Sequence, residues 1–260
     1  MEKQLIIKNI LNKVYLHPLF ILVAFLSAIT AHFREFIVFF LIIIIHEIGH
    51  IIGGLYYNWK LEKIIILPFG GLTIFNQKLN CPLKEELIVT LLGPIFQIIF
   101  YFLCKFLFYD NFILTKFHYP LLLFNLIPII PLDGSKILNI ILNKIFNFKN
   151  SHLINIGLSI IITLILIIII IYKNYGLMYV LIFFFLILKI FKEIFQHKQL
   201  INKFILERYL YTFKFKKIKI LKDKNLNSIY RDYNHFFYNK NNLYSEDDLL
   251  KKKFDFKRNL

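Results

Sequence analysis

Long apolar segments restrict this chain to few kinds of fold. A helix that crosses a bilayer needs about 20 consecutive, mostly apolar residues, and only helices and closed barrels satisfy their backbone in lipid. Hydrophobic residues make up 58% of the 260 and charged residues only 18%, which argues against a soluble globular enzyme. The sequence predicts an all-α polytopic membrane protein with about six transmembrane helices. The predicted spans are Val14–Phe33, Phe36–Leu55, Leu87–Phe108, Phe117–Leu132, Leu153–Tyr172 and Tyr175–Phe191.

The N-terminal region also resembles a secretory signal peptide. Lys3, Lys8 and Lys13 precede an apolar run that ends in the small residues of Ser27–Ala31. The first apolar stretch is nevertheless long enough to span, and the second follows almost at once. We therefore expect a retained helical hairpin.

The distribution of Lys and Arg predicts the orientation. Of 32 such residues, 18 lie from Lys189 onward, and the other loops on that side are also the more basic ones. Cytoplasmic loops carry the excess of basic residues. We expect a multi-pass protein of the cytoplasmic membrane with both termini in the cytoplasm.

The fourth apolar segment cannot form one uninterrupted helix. Pro120, Pro128 and Pro131 interrupt it, and proline within a helix removes a hydrogen bond and clashes with the preceding turn. Broken backbone at membrane depth requires cover by protein or by a water-filled cavity. The segment is thus a predicted part of a site.

The second span contains the motif H-E-x-x-H at His46, Glu47 and His50. The two histidines are four residues apart, so they share one helix face and can bind one metal ion. Glu47 lies beside that face, where it can act as the general base. Three ionisable side chains in a run of isoleucines are costly without a partner. The alternative is a hydrogen-bonded polar cluster without a metal.

A third ligand is expected because catalytic zinc usually has three protein ligands and one open position. Between Glu86 and Glu193 the acidic residues are Asp110, at an outer helix end, and Asp133. Asp133 closes the proline-broken segment at the cytoplasmic end. Its alternative role is that of N-cap for a helix over Gly134–Phe146.

These motifs resemble those of the site-2 protease family of intramembrane zinc metalloproteases, peptidase family M50. The similarity is closest to the sporulation branch, which processes a pro-sigma-K precursor in spore-forming Firmicutes, and it covers about residues 15–210. The matching segments are His17–Phe20, His32–Glu35, His46–His50, Leu67–Gly71, Gly93–Pro94 and Asn125–Gly134.

The resemblance implies a function for each matched site residue. His46, His50 and Asp133 would hold one Zn²⁺, and Glu47 would be the catalytic base. Asn125 would position the substrate or stabilise the oxyanion. The alternative for Asn125 is a hydrogen bond to a carbonyl freed by the prolines.

Residues Leu61–Phe75 predict a small membrane-associated β-hairpin, because two β-branched runs flank Pro68–Gly71. An edge strand there could pair with an unwound substrate segment. Alternatively, the hairpin only packs over the site.

The C-terminal region differs in composition from the spans. We predict a transmembrane metalloprotease domain over residues 1–197 and a basic cytoplasmic tail over 198–260. Residues Lys198–Ile220 are expected to lie on the inner leaflet. Asn234–Tyr238 and Ser245–Leu250 predict a strand and a helix, like a truncated piece of the nucleotide-binding CBS-type domain that the resemblance implies.

The expected function is cleavage of a membrane-associated precursor near the cytosolic face, a pro-sigma factor during sporulation. Alternatives are cleavage of an anti-sigma factor or other membrane regulator, an inactive scaffold, and, in another class, a divalent-metal transporter. The partners expected are a membrane-associated protein substrate and the lipid bilayer. The resemblance allows membrane inhibitor proteins and a homo-oligomer, and no nucleic acid is expected.

Overall fold

The computed structural model describes residues 12–68, 70–107, 112–173, 176–239 and 242–255. The fold is mostly helical. The chain divides into two compact units, one formed by residues 1–77 and 87–127 and the other by residues 78–86 and 128–260. Lys3, Lys8, Phe69 and Asp110, which carried sequence predictions, lie outside the described residues.

The first unit combines a three-stranded sheet with apolar helices. Strand β1 pairs parallel with β2, and β2 pairs antiparallel with β3. The strand–turn–strand pattern over Leu61–Phe75 thus corresponds to two strands of a larger sheet, and its membrane association stays a prediction. The elements are β1 (Val14–Leu16), α1 (Pro18–Ile29), α2 (Phe33–Tyr56), β2 (Lys60–Leu67), β3 (Gly70–Asn76), α3 (Leu83–Leu107) and α4 (Phe112–Leu126).

The prediction of one helix over Val14–Phe33 was wrong. Its first residues form β1, whose backbone bonds to β2, and Pro18 then starts a helix of only 12 residues. Proline at the first helical position has no N–H to satisfy, which makes it a favourable start. At 1.5 Å per residue α1 is about 18 Å long, so the helix by itself covers only part of a hydrocarbon core of about 30 Å.

Among the described residues, three helices are long and apolar enough to cross a membrane: α2, α3 and Phe148–Tyr172. These correspond to the second, third and fifth predicted spans. Helices α2, α3 and α4 pack through a buried apolar cluster of Ile42, Ile43, Tyr101, Leu114 and Leu121. The count of six spans stays a prediction.

The break in the fourth apolar segment is confirmed at Pro128 and Pro131, but the prediction that Pro120 also interrupts it was wrong, because Pro120 lies inside helix α4. Helix α4 ends at Leu126, the next helix begins at Asp133, and the peptide bond between Ile130 and Pro131 is cis. The N–H of Ile130 donates to Ser159 Oγ at 3.2 Å. A buried backbone donor released from helical bonding therefore finds a side-chain partner.

The second unit packs helices against a second three-stranded sheet. Its core contains Phe204, Ile205, Ile229, Phe237 and Leu250. Strand β4 pairs parallel with β5, and β5 pairs antiparallel with β6. The elements are α5 (Asp133–Ile145), α6 (Phe148–Tyr172), α7 (Leu177–Leu210), β4 (Lys217–Leu221), a 3₁₀ turn (Leu226–Ser228), β5 (Tyr233–Asn239), β6 (Asn242–Ser245) and α8 (Glu246–Asp255).

The predicted strand and helix of the tail are confirmed as β5 and α8. The expectation that all of Lys198–Ile220 lies on a membrane was wrong for its first part. Ile201, Phe204 and Ile205 of α7 are buried in the core beneath the tail sheet. Helix α7 runs without interruption through residues 197 and 198, where the domain boundary was predicted.

Buried ionic and hydrogen bonds fix residues 78–86 to α7 and to the tail. Arg231 pairs with Glu86 at 2.6 Å. Arg208 donates to the Asn80 side chain at 2.7 Å and to Glu246 at 2.8 Å. Both arginines are buried, and breaking a buried, hydrogen-bonded charge pair costs about 3–5 kcal/mol.

Candidate metal centre

Helix α2 places His46, Glu47 and His50 together in the protein interior. All three side chains are buried. One possible ligand atom from each lies within 4.8 Å of the others. Among the described residues, these three form the cluster that could hold a metal ion. The sequence prediction that His46 and His50 share one helix face is therefore confirmed.

Hydrogen bonds from α3 orient the two imidazole rings. His46 Nδ1 lies 3.0 Å from Gln97 Oε1, and His50 Nδ1 lies 2.9 Å from the carbonyl oxygen of Val89. A carbonyl oxygen can only accept, so each Nδ1 carries the proton. Gln97 is held in this orientation because its Nε2 donates to the carbonyl oxygen of His118 at 3.1 Å.

The Nε2 atoms of the two histidines converge. They lie 3.1 Å apart in a buried space. Metal-binding histidines in general donate their other ring N–H to a carbonyl or carboxylate. The donor set and its supporting bonds fit a zinc ion.

Gly93 of α3 forms the wall beside these nitrogens. A Cβ atom at this position would lie 2.4 Å from His50 Nε2 and 2.9 Å from His46 Nε2. Only glycine leaves room for both rings in their present orientation.

Strand β3 lies against the carboxylate of Glu47. Thr73 Oγ1 donates to Glu47 Oε2 at 2.5 Å. A Cβ atom at Gly71 would lie 2.5 Å from the other oxygen, Oε1, and 2.4 Å from Cγ. The strand thus holds the carboxylate next to the two histidines.

Asn125 and Asp133 lie on either side of the interruption between α4 and α5. Asn125 is half-buried in the last turn of α4, in the first unit. Asp133 is buried at the start of α5, in the second unit, and its Oδ1 lies 2.9 Å from Lys136 Nζ. The N-cap of α5 is Leu132, so the alternative role of Asp133 as N-cap is wrong. Participation of Asn125 and Asp133 in the site stays a prediction.

Sequence analysis missed three supporting residues: Gln97, Thr73 and Val89. Gln97 was detectable from the sequence, because an amide inside an apolar span needs a hydrogen-bond partner. In the structure its side chain is fully buried. Val89 contributes only a backbone oxygen, which no side-chain pattern reveals. Thr73 could not be singled out, because β-branched residues are common in strands whether or not they contact a site.

Similarity to known proteins agrees with this geometry. Residues 35–113 match the model of peptidase family M50. The chain is 30% identical to stage IV sporulation protein FB of Bacillus subtilis over 216 residues, which cover 77% of this chain and 73% of that protein. It is 34% identical to a zinc metalloprotease of Methanocaldococcus jannaschii over 139 residues, 48% of this chain and 39% of that protein.

The solved structure of a site-2 protease from Methanocaldococcus jannaschii is also similar. It superposes with a TM-score of 0.57 at 26% identity and covers 69% of this chain and 89% of the solved one. Residues 35–113, which match the family model, contain His46, Glu47 and His50.

Proposed function

Because the chain belongs to peptidase family M50 and is a membrane-embedded zinc metalloprotease of the site-2 protease type, we propose that it cleaves a pro-sigma factor near the cytosolic face of the membrane. Because the chain is a metalloprotease, we no longer propose the divalent-metal transporter that the sequence had left as an alternative. The substrate proposal is supported by the identity to the sporulation protein over most of both chains. The site chemistry is supported above all by the convergence of His46 and His50 Nε2.

We propose His46, His50 and Asp133 as the protein ligands of the zinc ion. The two histidines supply neutral nitrogen donors because their Nδ1 protons are held elsewhere. Asp133 supplies the carboxylate that completes a three-ligand set. Bound zinc supplies Lewis-acid polarisation of the scissile carbonyl and of the attacking water.

Glu47 is the proposed general base. Its Oε2 accepts a hydrogen bond from Thr73, which leaves Oε1 to take a proton from water and to return it to the leaving amine. Asn125 is the proposed donor to the substrate carbonyl oxygen. An amide N–H in a water-poor site stabilises a developing oxyanion strongly.

The substrate segment is proposed to bind as an added strand beside β3. The sheet order is β1-β2-β3, so β3 is an edge strand of this sheet among the described residues. A transmembrane substrate must unwind before attack, and strand addition compensates the backbone bonds that unwinding breaks. Glu47 touches the same strand, which would bring the unwound segment to the base.

Six spans with both termini in the cytoplasm complete the proposed arrangement. The basic tail supports this orientation. Water and a cytosolic substrate could then reach a site at the cytosolic ends of the spans.

Substitution Gly71→Ala is expected to lower the cleavage rate by about 10- to 100-fold, because displacing a catalytic group by ~1 Å has an effect of this size. The added Cβ would collide with Glu47 Cγ at 2.4 Å. Zinc content should stay unchanged, since the collision involves the base alone. Cleavage of a co-expressed precursor and metal analysis of the purified enzyme measure the two effects.

The neighbouring substitution Gly70→Ala is the matched control, because a Cβ there meets nothing within 4 Å. It should cleave at the wild-type rate. Equal rates for the two variants would show that contact with β3 does not position Glu47.

Substitution Asp133→Asn tests the third ligand. It keeps the shape of the side chain but removes the charge of a proposed ligand, so zinc affinity is expected to fall by more than the about 10- to 100-fold that loss of a supporting hydrogen bond costs. Cleavage of a pro-sigma-K-type precursor, co-expressed with the enzyme, should disappear in parallel. Metal analysis of the purified enzyme separates loss of zinc from loss of substrate binding.

Lys136→Met is the control for the ion pair between Lys136 and Asp133. It breaks the pair and leaves the carboxylate, so zinc should remain bound. Full zinc content in Asp133→Asn would refute the ligand assignment. A wild-type enzyme that cleaves an anti-sigma factor but not the pro-sigma precursor would refute the substrate proposal and leave the ligands standing.

A further inference from the structure

The sheet of the second unit has one buried face and one exposed face. His235 and Phe237 of β5 are buried towards the core. Side chains alternate along a strand, so Asn234 and Phe236 face outward. Register places Ile218 of β4 opposite Asn234, and Ile220 opposite Phe236.

The exposed side chains of the outward face are apolar on all three strands, and its polar residues Asn234 and Ser245 are half-buried. Ile218 is 64% exposed and Ile220 65%. Tyr238 and Leu243 are opposite each other in the β5–β6 register and are also exposed. We call Ile218, Ile220, Phe236, Tyr238 and Leu243 the outer face.

This pattern is the reverse of what water favours. A sheet with one solvated face normally turns polar side chains outward and apolar ones inward. Here Lys219 belongs to the opposite face, with its Nζ 3.2 Å from the ring centroid of Tyr230, while its isoleucine neighbours are exposed. The outer face is therefore suited to an apolar environment.

Basic residues border the outer face. Lys216 and Lys222 continue the alternation of Ile218 and Ile220 beyond each end of β4, and both are exposed. An apolar centre with a basic border complements a membrane surface, where isoleucine enters the acyl boundary and lysine meets anionic headgroups. A second copy of the same face would instead bring like charges together.

The connection of this face to the bilayer rests on the sixth span proposed above, which forms the first part of α7. Helix α7 has 34 residues and is about 51 Å long, compared with about 30 Å for the hydrocarbon core. The sheet packs on Phe204 and Ile205 near its C-terminal end. We propose that the outer face binds the surface of an anionic membrane and holds the tail against it.

Tryptophan fluorescence of the full-length enzyme tests this proposal. Trp59 is the single tryptophan, so a Trp59→Phe background carrying Ile218→Trp reports on the outer face alone. The enzyme is reconstituted in vesicles of phosphatidylcholine, or of equal parts phosphatidylcholine and phosphatidylglycerol, with brominated acyl chains. We expect emission to fall by about half in the anionic vesicles and to change little in the neutral ones.

Lys251→Trp in the same background is the control, because Lys251 is exposed on α8, the helix whose Leu250 packs against the inner side of the sheet. Its emission should not be quenched. Reversing the border charges with Lys216→Glu and Lys222→Glu should abolish quenching at position 218.

Three results would overturn the proposal. The first is equal quenching at positions 218 and 251, which would mean non-specific contact with lipid. The second is no quenching at position 218 in anionic vesicles. The third is protection of that tryptophan from aqueous acrylamide without quenching by bromolipid, which would identify a protein, such as a second copy, as the occupant.

Discussion

Replacement of Glu47 by Gln is expected to abolish cleavage while the protein still inserts in the membrane and binds zinc. The amide keeps the size of the carboxylate and can still contact Thr73, but it cannot accept a proton from water. General acid–base catalysis contributes about 10²- to 10⁴-fold, so cleavage of a co-expressed precursor should fall by at least about 10²-fold. The buried position of Glu47 next to His46 and His50 supports this expectation.

Glu62→Gln is the matched control for this prediction. Glu62 is exposed on β2, so the same chemical change there should leave cleavage at the wild-type level. Zinc content, measured on the purified variants, should equal that of the wild type in both. A Glu47→Gln enzyme that still cleaves would exclude Glu47 as the base, whatever its zinc content.

Replacement of Gly93 by Ala is expected to remove zinc. A single methyl group would approach His50 Nε2 to 2.4 Å and His46 Nε2 to 2.9 Å, so the rings must rotate away from their Nδ1 partners. Changes that only disturb such supporting hydrogen bonds cost about 10- to 100-fold in metal affinity. Displacing both rings should cost at least as much, and cleavage should disappear with the metal.

Gly157→Ala provides the comparison for Gly93→Ala. Gly157 also lies in an apolar helix, α6, but a Cβ there meets nothing within 4 Å. This variant should keep full zinc content and activity. Circular dichroism of both variants distinguishes loss of metal from loss of fold. Stoichiometric zinc in a folded Gly93→Ala enzyme would contradict the proposed position of the ion.

The features that sequence predicts well here depend on local chemistry. The break at Pro128 and Pro131 was predictable because proline lacks the N–H that a helix needs. The pairing of His46 with His50 was predictable because residues four apart share a helix face.

The features that sequence could not predict depend on tertiary bonding. Hydropathy made Val14–Leu16 part of a span, whereas these residues form a strand because β2 offers them backbone partners. Apolar composition measures the tendency to leave water, but it does not specify which backbone bonds accompany burial. The same limit hid Val89, whose contribution is a carbonyl oxygen.

The ion pair between Arg231 and Glu86 has a consequence for how this protein can be altered. Glu86 lies in the first turn of α3, three residues before Val89, whose carbonyl orients His50. The tail therefore anchors the first turn of α3. Shortening the chain after α7 would strip Glu86 of Arg231 and Arg208 of Glu246. In engineering terms, removal of the tail is expected to destabilise residues 78–86, because it leaves buried charges without their partners.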